Sequence, residues 1–302
     1  MHLSTTTLRS IPLANWFRAV MYEIHLYWRF TRYDISATVV PGLAFALAAW
    51  HQGQPNWAAL PSLIGWGVVY FWLYSVCFCI SNQLAGESED RLNKPDRPLI
   101  SGLVSRRGAM IRWIVFMGLF ALVGWHLGVL EWTLLWQITL TLHNFGHVAR
   151  HYWGKNLSMV FGAIAQLAAA WQMVRPITPA AWIWLLVPSI TLLSNASLQD
   201  LRDIDGDRMN GRRTMPIVFG ETFTRIFVAI AFGCVAVLTH FALFVPAGLN
   251  AGTLLLDGIQ TGICLIIAGR VLFLRTPAAD HGSYMMYTYW YSFLLAAAIV
   301  VL

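Results

Sequence analysis

Residues 61–98 read PSLIGWGVVYFWLYSVCFCISNQLAGESEDRLNKPDRP. From Pro61 to Asn82 no residue is charged; from Glu87 to Arg97 charges crowd together. An apolar run of about 20 residues is long enough to cross a bilayer as a helix. The stretch therefore predicts a transmembrane helix that ends in an acidic, basic-flanked loop.

Eight more apolar segments lie on either side of it. The nine expected spans are 34–51, 61–82, 108–127, 128–145, 157–174, 179–198, 221–241, 253–274 and 284–302. The fourth leaves little room to turn between Leu127 and Thr133. Residues 12–33 mix Trp16, Phe17, Tyr27 and Trp28 with Arg18, Glu23, Arg29 and Arg32, a pattern suited to a helix lying in the membrane interface. The expected fold class is all-α: a polytopic membrane protein of nine transmembrane helices with an N-terminal interfacial helix. The expected division is an interfacial segment at 1–33 and one membrane domain at 34–302.

Composition agrees. Of 302 residues, 58% are hydrophobic and 11% charged, against about 25% charged in soluble domains. That excludes an ordinary soluble domain and a disordered chain. No nucleic acid partner is expected: the 20 Lys and Arg are too few and too scattered for a duplex footprint, despite the net charge of +6. The first 11 residues lack an apolar core, so no cleavable signal peptide is expected. Cys77, Cys79, Cys234 and Cys264 all sit in apolar runs and read as small buried hydrophobes.

Charge placement tests the span count. With nine spans, every Lys and Arg except Arg175 falls on one side of the membrane. That is the bias of a cytoplasmic face. The expected localisation is an integral, multi-pass membrane protein with its polar loops on the cytoplasmic side; the sequence does not say which membrane.

Eight of the 14 acidic residues lie in two segments on that face, at 82–98 and 199–213. Asn82 and Asp90 are spaced for one helical face, as are Asp200, Asp203 and Asp207. Carboxylates so crowded repel unless cations bridge them. Hard oxygen ligands of this kind suit Mg²⁺, which uses one or two carboxylates plus substrate phosphates. Two such clusters flanked by basic residues make a site for a magnesium diphosphate, with Asp205 and Asp96 as solvated or ion-paired bystanders. Each segment follows an even-numbered span, which suggests two diverged halves.

The run NQLAGESEDRLNKPDRPLISG resembles the first signature of the UbiA superfamily of intramembrane prenyltransferases, through Asn82, Asp90, Asn93, Pro95, Arg97 and Pro98. The run QDLRDIDGDRMNGRRTMPIVFG resembles its second signature, through Asp200, Asp203, Gly206, Asp207, Arg208, Thr214, Pro216 and Gly220. One position departs: Gly86 stands where the family carries Asp, with Glu87 and Glu89 nearby. Together with FTRYD at 30–34 and HYWGKNL at 151–157, this resembles a fungal-type branch that includes membrane terpene cyclases.

The resemblance implies nine helices around a central cavity open to lipid. It implies that Asn82, Asp90, Asp200, Asp203 and Asp207 hold Mg²⁺, with Glu89 as the extra ligand and Glu87 second. Asp90, Asp203, Arg97 and Lys155 become the expected catalytic set. Asn82, Arg97, Lys155 and Arg208 are expected on the diphosphate, with Tyr74 on the prenyl chain. The implied substrate is geranyl, farnesyl or geranylgeranyl diphosphate. The cation formed from it either cyclises, which the branch favours, or is transferred to an acceptor such as an aromatic ring.

Two other constellations carry less. His143, His147 and His151 recur every four residues, but no carboxylate lies in 132–150, so a metal site is not expected there. A lipid transporter would show mid-span ionisable groups; here Asp257 and Arg112 sit near span ends. Rings of span two, and to a lesser degree of span nine, are expected to line a cavity and steady a carbocation.

Overall fold

The computed structural model describes residues 12–53 and 56–302; Arg9 and the side chain of Asn93 fall outside what is described. The described chain is all helical, with one isolated bridge between His151 and Arg213. In order, the helices are α1 (Pro12–Thr31), α2 (Ile35–Gln52), α3 (Leu60–Ala85), α4 (Glu87–Asn93), α5 (Arg106–His126), α6 (Leu130–Asn144), α7 (Tyr152–Gln172) and α8 (Pro179–Ile190). They continue as α9 (Leu192–Asn195), α10 (Ser197–Arg202), α11 (Ile204–Met209), α12 (Met215–Phe219), α13 (Glu221–Thr239), α14 (Ala251–Phe273) and α15 (Pro277–Val301).

Starts and stops follow local chemistry. The Ser105 and Thr178 hydroxyls accept from the Gly108 and Ala181 amides and cap α5 and α8. Asn250 and Thr253 form a reciprocal capping box on α14. Between α5 and α6, Gly128 adopts φ 69°, a left-handed turn that most side chains resist. Gly124 then lets the two helices touch: a Cβ there would lie 2.1 Å from the Thr133 hydroxyl. The tight space before Thr133 is thus a working hairpin.

Helices α2, α3, α5, α6, α7 and α8 pack in succession, α13, α14 and α15 do likewise, and α15 closes against α2. The helices at the nine expected spans are all present. Six segments are long and apolar enough to cross a membrane: Leu60–Ala85, Arg106–His126, Pro179–Arg202, Glu221–Phe244, Ala251–Phe273 and Pro277–Val301. The other three differ for physical reasons. Helix α6 has 15 residues. Helix α7 carries Lys155, Asn156, Ser158 and Gln166 and is buried along a small-residue face, so it meets protein more than lipid. Helix α2 passes only together with α1, from which it bends by 86°.

That bend sets α1 across the loop end of the bundle. Glu23 pairs with Arg112, with a second bond from Arg112 Nε at 2.9 Å, and the Tyr22 hydroxyl donates to the Leu103 carbonyl at 2.6 Å. Arg32 pairs with Asp96 of the first acidic segment. Pro188 and the breaks after Ile190 and Asn195 split the 179–202 span into three short helices that deliver the second acidic segment.

One expectation is corrected here. Cys234 is exposed on the outer face of α13, while the other three cysteines are buried. Asp257 lies within α14 and pairs with His240 at 2.6 Å, beside a π-turn at His240–Phe244. This pair stands in the second turn of the 23-residue α14, near the span end where Asp257 was expected.

Candidate active site

The two acidic segments converge over one cavity of about 270 Å³. The last turn of α3 supplies Asn82; α4 supplies Glu89 and Asp90; the chain after α4 returns Lys94 and Arg97. The break between α10 and α11 supplies Asp203, α11 supplies Asp207, and the first turn of α7 supplies Lys155. Gly86 makes the joint between α3 and α4, where its amide donates to the Asn82 carbonyl at 2.8 Å. A side chain there would meet that carbonyl at 3.1 Å. The departure from the family pattern is thus a tight corner that turns α4 over the cavity.

Every acid at this mouth has a cationic neighbour. Arg97 Nη1 donates to both oxygens of Asp90, at 2.8 and 2.6 Å, and to Asn82 Oδ1 at 3.3 Å. Lys155 pairs with the fully buried Asp200. Arg212 reaches Glu89 at 2.6 Å and Asp207 at 3.6 Å. Arg202 reaches Asp203 at 3.3 Å and lies over the Tyr284 ring. Burial pushes the Asp207 carboxyl up to about 6, with the Asp200 and Glu89 charges adding to it and Lys155 and Arg212 opposing. Burial also lowers Lys94, seconded by Arg97.

Below the mouth the lining turns aromatic. Tyr74 stacks on Trp136, with centroids 4.4 Å apart and planes 5° from parallel, and Phe78 lies against the same indole. Tyr284, Tyr287 and Tyr291 of α15 complete this end. Span nine therefore contributes more rings to the cavity than span two does, three against two, the reverse of the expected order. The cavity joins a charged mouth to a ring-lined pocket, the two environments a prenyl diphosphate needs.

Most residues singled out in the sequence meet here: Tyr74, Asn82, Glu89, Asp90, Arg97, Lys155, Asp203 and Asp207 line the cavity, and Asp200 lies beneath Lys155. Arg208 does not. Its side chain is 66% exposed and faces Asp205, itself 94% exposed. The turn at Gly211, φ 64°, re-aims the chain, so Arg212 takes the inward place instead. Glu87 also faces away and is held down by Arg91 and Arg106. Asp96 pairs outward with Arg32. The three histidines do not share a face: α6 ends at Asn144, and His147 has φ 58°. Only His143 lines the cavity. Sequence reasoning missed Arg212, Lys94, Trp136 and Asp34. Of these, only the FTRYD stretch gave a signal, for Asp34.

The donor set fits Mg²⁺. Asp200 Oδ2 and Asp207 Oδ2 are buried and accept no hydrogen bond, a costly condition that a cation relieves. Among the described residues no three His, Cys, Asp or Glu side chains converge tightly enough to hold a metal alone. Mg²⁺ commonly takes one or two carboxylates and completes its shell with substrate phosphates and water.

The sequence profile of the UbiA prenyltransferase family matches residues 38–299. Somaliensene A/B synthase of Streptomyces somaliensis is 42% identical over 99% of both chains. Diterpene cyclase eriG of Hericium erinaceus is 34% identical, over 93% of this chain and 89% of its own. A polyprenyl transferase of the same fungus, eriF, is 31% identical over 92% of this chain and 95% of its own. Among solved structures, a UbiA homolog from Archaeoglobus fulgidus bound to DMAPP and Mg²⁺ superposes with TM-score 0.66 at 16% identity, covering 92% of this chain and 100% of its own.

Proposed function

The chain belongs to the UbiA prenyltransferase family, and from that premise we propose that this intramembrane enzyme ionises an isoprenyl diphosphate with Mg²⁺ and cyclises the cation. The observation that carries the reading is the single cavity with a charged mouth and a ring-lined pocket. Two of the relatives named above, a somaliensene synthase and a diterpene cyclase, support cyclisation. The solved neighbour bound to DMAPP and Mg²⁺ supports the substrate class and the metal.

Asn82, Glu89, Asp90, Asp200, Asp203 and Asp207 offer the hard oxygens that hold the metal. Bound Mg²⁺ supplies positive charge that offsets the charge growing on diphosphate as the carbon–oxygen bond breaks. Arg97, Lys155 and Arg212 bind diphosphate oxygens, the two guanidinium groups through paired N–H donors. Each of these cations already neutralises a carboxylate, so substrate exchanges one anionic partner for another and the mouth stays near neutrality. Tyr74, Phe78, Trp136 and the tyrosines of α15 hold the prenyl chain, exclude water and present ring faces to the cation. Both acidic segments face the cytoplasm, as the positive charge on that side predicts, and the chain crosses the membrane nine times.

The test is incubation of the purified protein in detergent with geranyl, farnesyl and geranylgeranyl diphosphates, with and without Mg²⁺ and without an acceptor. Magnesium-dependent cyclic hydrocarbon or alcohol from any of them supports the reading. Release of none, with prenylation of an added aromatic acid or quinol precursor, replaces it with prenyl transfer. The match to a polyprenyl transferase keeps that second outcome in view.

A further inference from the structure

Asp34 belongs to neither acidic segment, yet it lines the same cavity. It occupies the N-cap position of α2, where an aspartate ordinarily accepts from the helix's first amides. Its side chain makes no such bond. It turns into the cavity, where Cys79 Sγ donates to Oδ2 at 3.3 Å. Oδ1 accepts nothing from the described residues.

Five carboxylates line the cavity: Asp34, Glu89, Asp90, Asp203 and Asp207. The other four each pair with an arginine. Of these five, Asp34 alone has no ion pair among the described residues. Its depth also sets it apart. Cys79 lies three residues, about 4.5 Å of helix, below Asn82 at the mouth, and five residues, about 7.5 Å, above Tyr74 among the rings. Asp34 therefore stands where the charged mouth gives way to the hydrocarbon pocket.

A cyclised cation must lose its charge before release. The metal-motif carboxylates are committed to cations and sit at the diphosphate. The phenyl, phenol and indole rings have no basic nitrogen, and the His143 imidazole stands at the level of the mouth, next to Asn144, which bonds Asn82. We propose that Asp34 is the proton acceptor that ends the reaction, with Cys79 holding its carboxylate in place. This rests on the cyclisation reading. In the step, a C–H bond beside the cationic carbon breaks and its electron pair becomes a C=C bond. The proton goes to Asp34 Oδ1, and from there to water after the hydrocarbon leaves. Diphosphate departs separately, so charge and atoms balance with no added reagent.

The experiment follows two products of one reaction in purified, Mg²⁺-loaded full-length protein: diphosphate released and hydrocarbon formed. Asp34→Asn removes the base while keeping size and shape. Diphosphate release should persist, while the wild-type hydrocarbon falls about a hundredfold, the usual worth of a positioned base, and alcohols from water capture replace it. Asp34→Glu should keep deprotonation but shift it to a neighbouring carbon, giving isomeric alkenes; this variant carries the test if the Asn form does not fold. Cys79→Ala removes the donor to Oδ2 and should shift the product mixture in the same direction as Asp34→Asn, more weakly, with diphosphate release retained. An unchanged product mixture from Asp34→Asn, or loss of diphosphate release together with hydrocarbon, overturns the assignment. If the wild-type protein itself makes no hydrocarbon, it is the cyclisation reading that has failed, and the role given to Asp34 falls with it.

Discussion

Arg212 Nη2 lies 2.6 Å from Glu89 Oε2, a contact that ties the second acidic segment to the first across the cavity mouth. The two residues stand on opposite sides of the same opening, and Arg212 also faces Asp207 at 3.6 Å. Arg212→Ala removes a diphosphate donor and leaves two acids facing one another. Turnover should fall about a hundredfold, the scale of losing one oriented donor. Arg208→Ala, one turn earlier and exposed, should stay within about twofold of wild type, since surface changes of this kind cost little. Equal effects of the two substitutions in a steady-state assay would show that the inward placement of Arg212 has no bearing on catalysis.

The metal assignment gives a graded series. Asp90→Asn and Asp203→Asn keep size but remove charge, and each should lower turnover about a thousandfold or more. Asp205→Asn, at 94% exposure, and Asp96→Asn, paired outward with Arg32, should be close to wild type. Excess chelator should abolish diphosphate release and added Mg²⁺ should restore it. Turnover that persists in chelator would refute the assignment.

Much of this was legible in the sequence because the chain has few charges. In a protein that is 11% charged, eight acids in two segments are conspicuous, though the single helical face expected of Asn82 with Asp90, and of Asp200 with Asp203 and Asp207, is broken at Gly86 and at Asp203. What sequence could not give was facing. Asp207 and Arg208 are adjacent, yet one is buried and the other exposed, because α11 is a single turn and Gly211 then redirects the chain. Trp136 sits in a span with no distinguishing neighbours, and only folding brings α6 against Tyr74, 62 residues earlier. Nor does apolar periodicity separate a lipid-facing helix from α7, whose polar residues are tolerated because protein surrounds them.

Membrane sidedness is open to direct labelling. In a protein with Cys234 replaced, single cysteines at Ser101 and Met209, both exposed, should react with an impermeant reagent from the cytoplasmic side of sealed vesicles. A cysteine at Leu249, 52% exposed between α13 and α14, should react only from the other side. Labelling of 101 and 209 from opposite faces would break the shared site as well as the span count.

A buried ion pair anchors the second half. Arg225 and Asp280 are 2% and 1% exposed and meet through two parallel bonds of 2.8 and 2.7 Å, tying α13 to α15. Asp280→Ala leaves a guanidinium buried beside only Glu221 and the Val271 carbonyl. The expected cost is about 3 kcal/mol, read as an earlier thermal transition in detergent. Glu221→Ala, removing the half-exposed partner, should cost about 1 kcal/mol or less. A larger loss from Glu221→Ala than from Asp280→Ala would reverse this ranking.

The ring-lined pocket makes the last prediction. Trp136 is fixed twice: its indole N–H donates to the Tyr74 carbonyl at 3.1 Å, and its face stacks on the Tyr74 ring. Gly162 of α7 lies behind both, where a Cβ would come within 2.5 Å of the indole and 2.9 Å of the Tyr74 hydroxyl. This wall is a shape rather than a charge, and a cyclase folds its substrate against shape. Tyr74→Ala should therefore raise the share of linear over cyclic product from one diphosphate, while diphosphate release changes little. The fold should pay about 3 kcal/mol for the lost ring, so the comparison belongs well below the thermal transition. Gly162→Ala pushes the same pair from the opposite side and should alter the product ratio without removing any ring. Chromatography of the hydrocarbons alongside a diphosphate assay separates the two effects. If both variants keep the wild-type ratio and differ only in rate, the wall does not mould the substrate, and the rings serve packing alone.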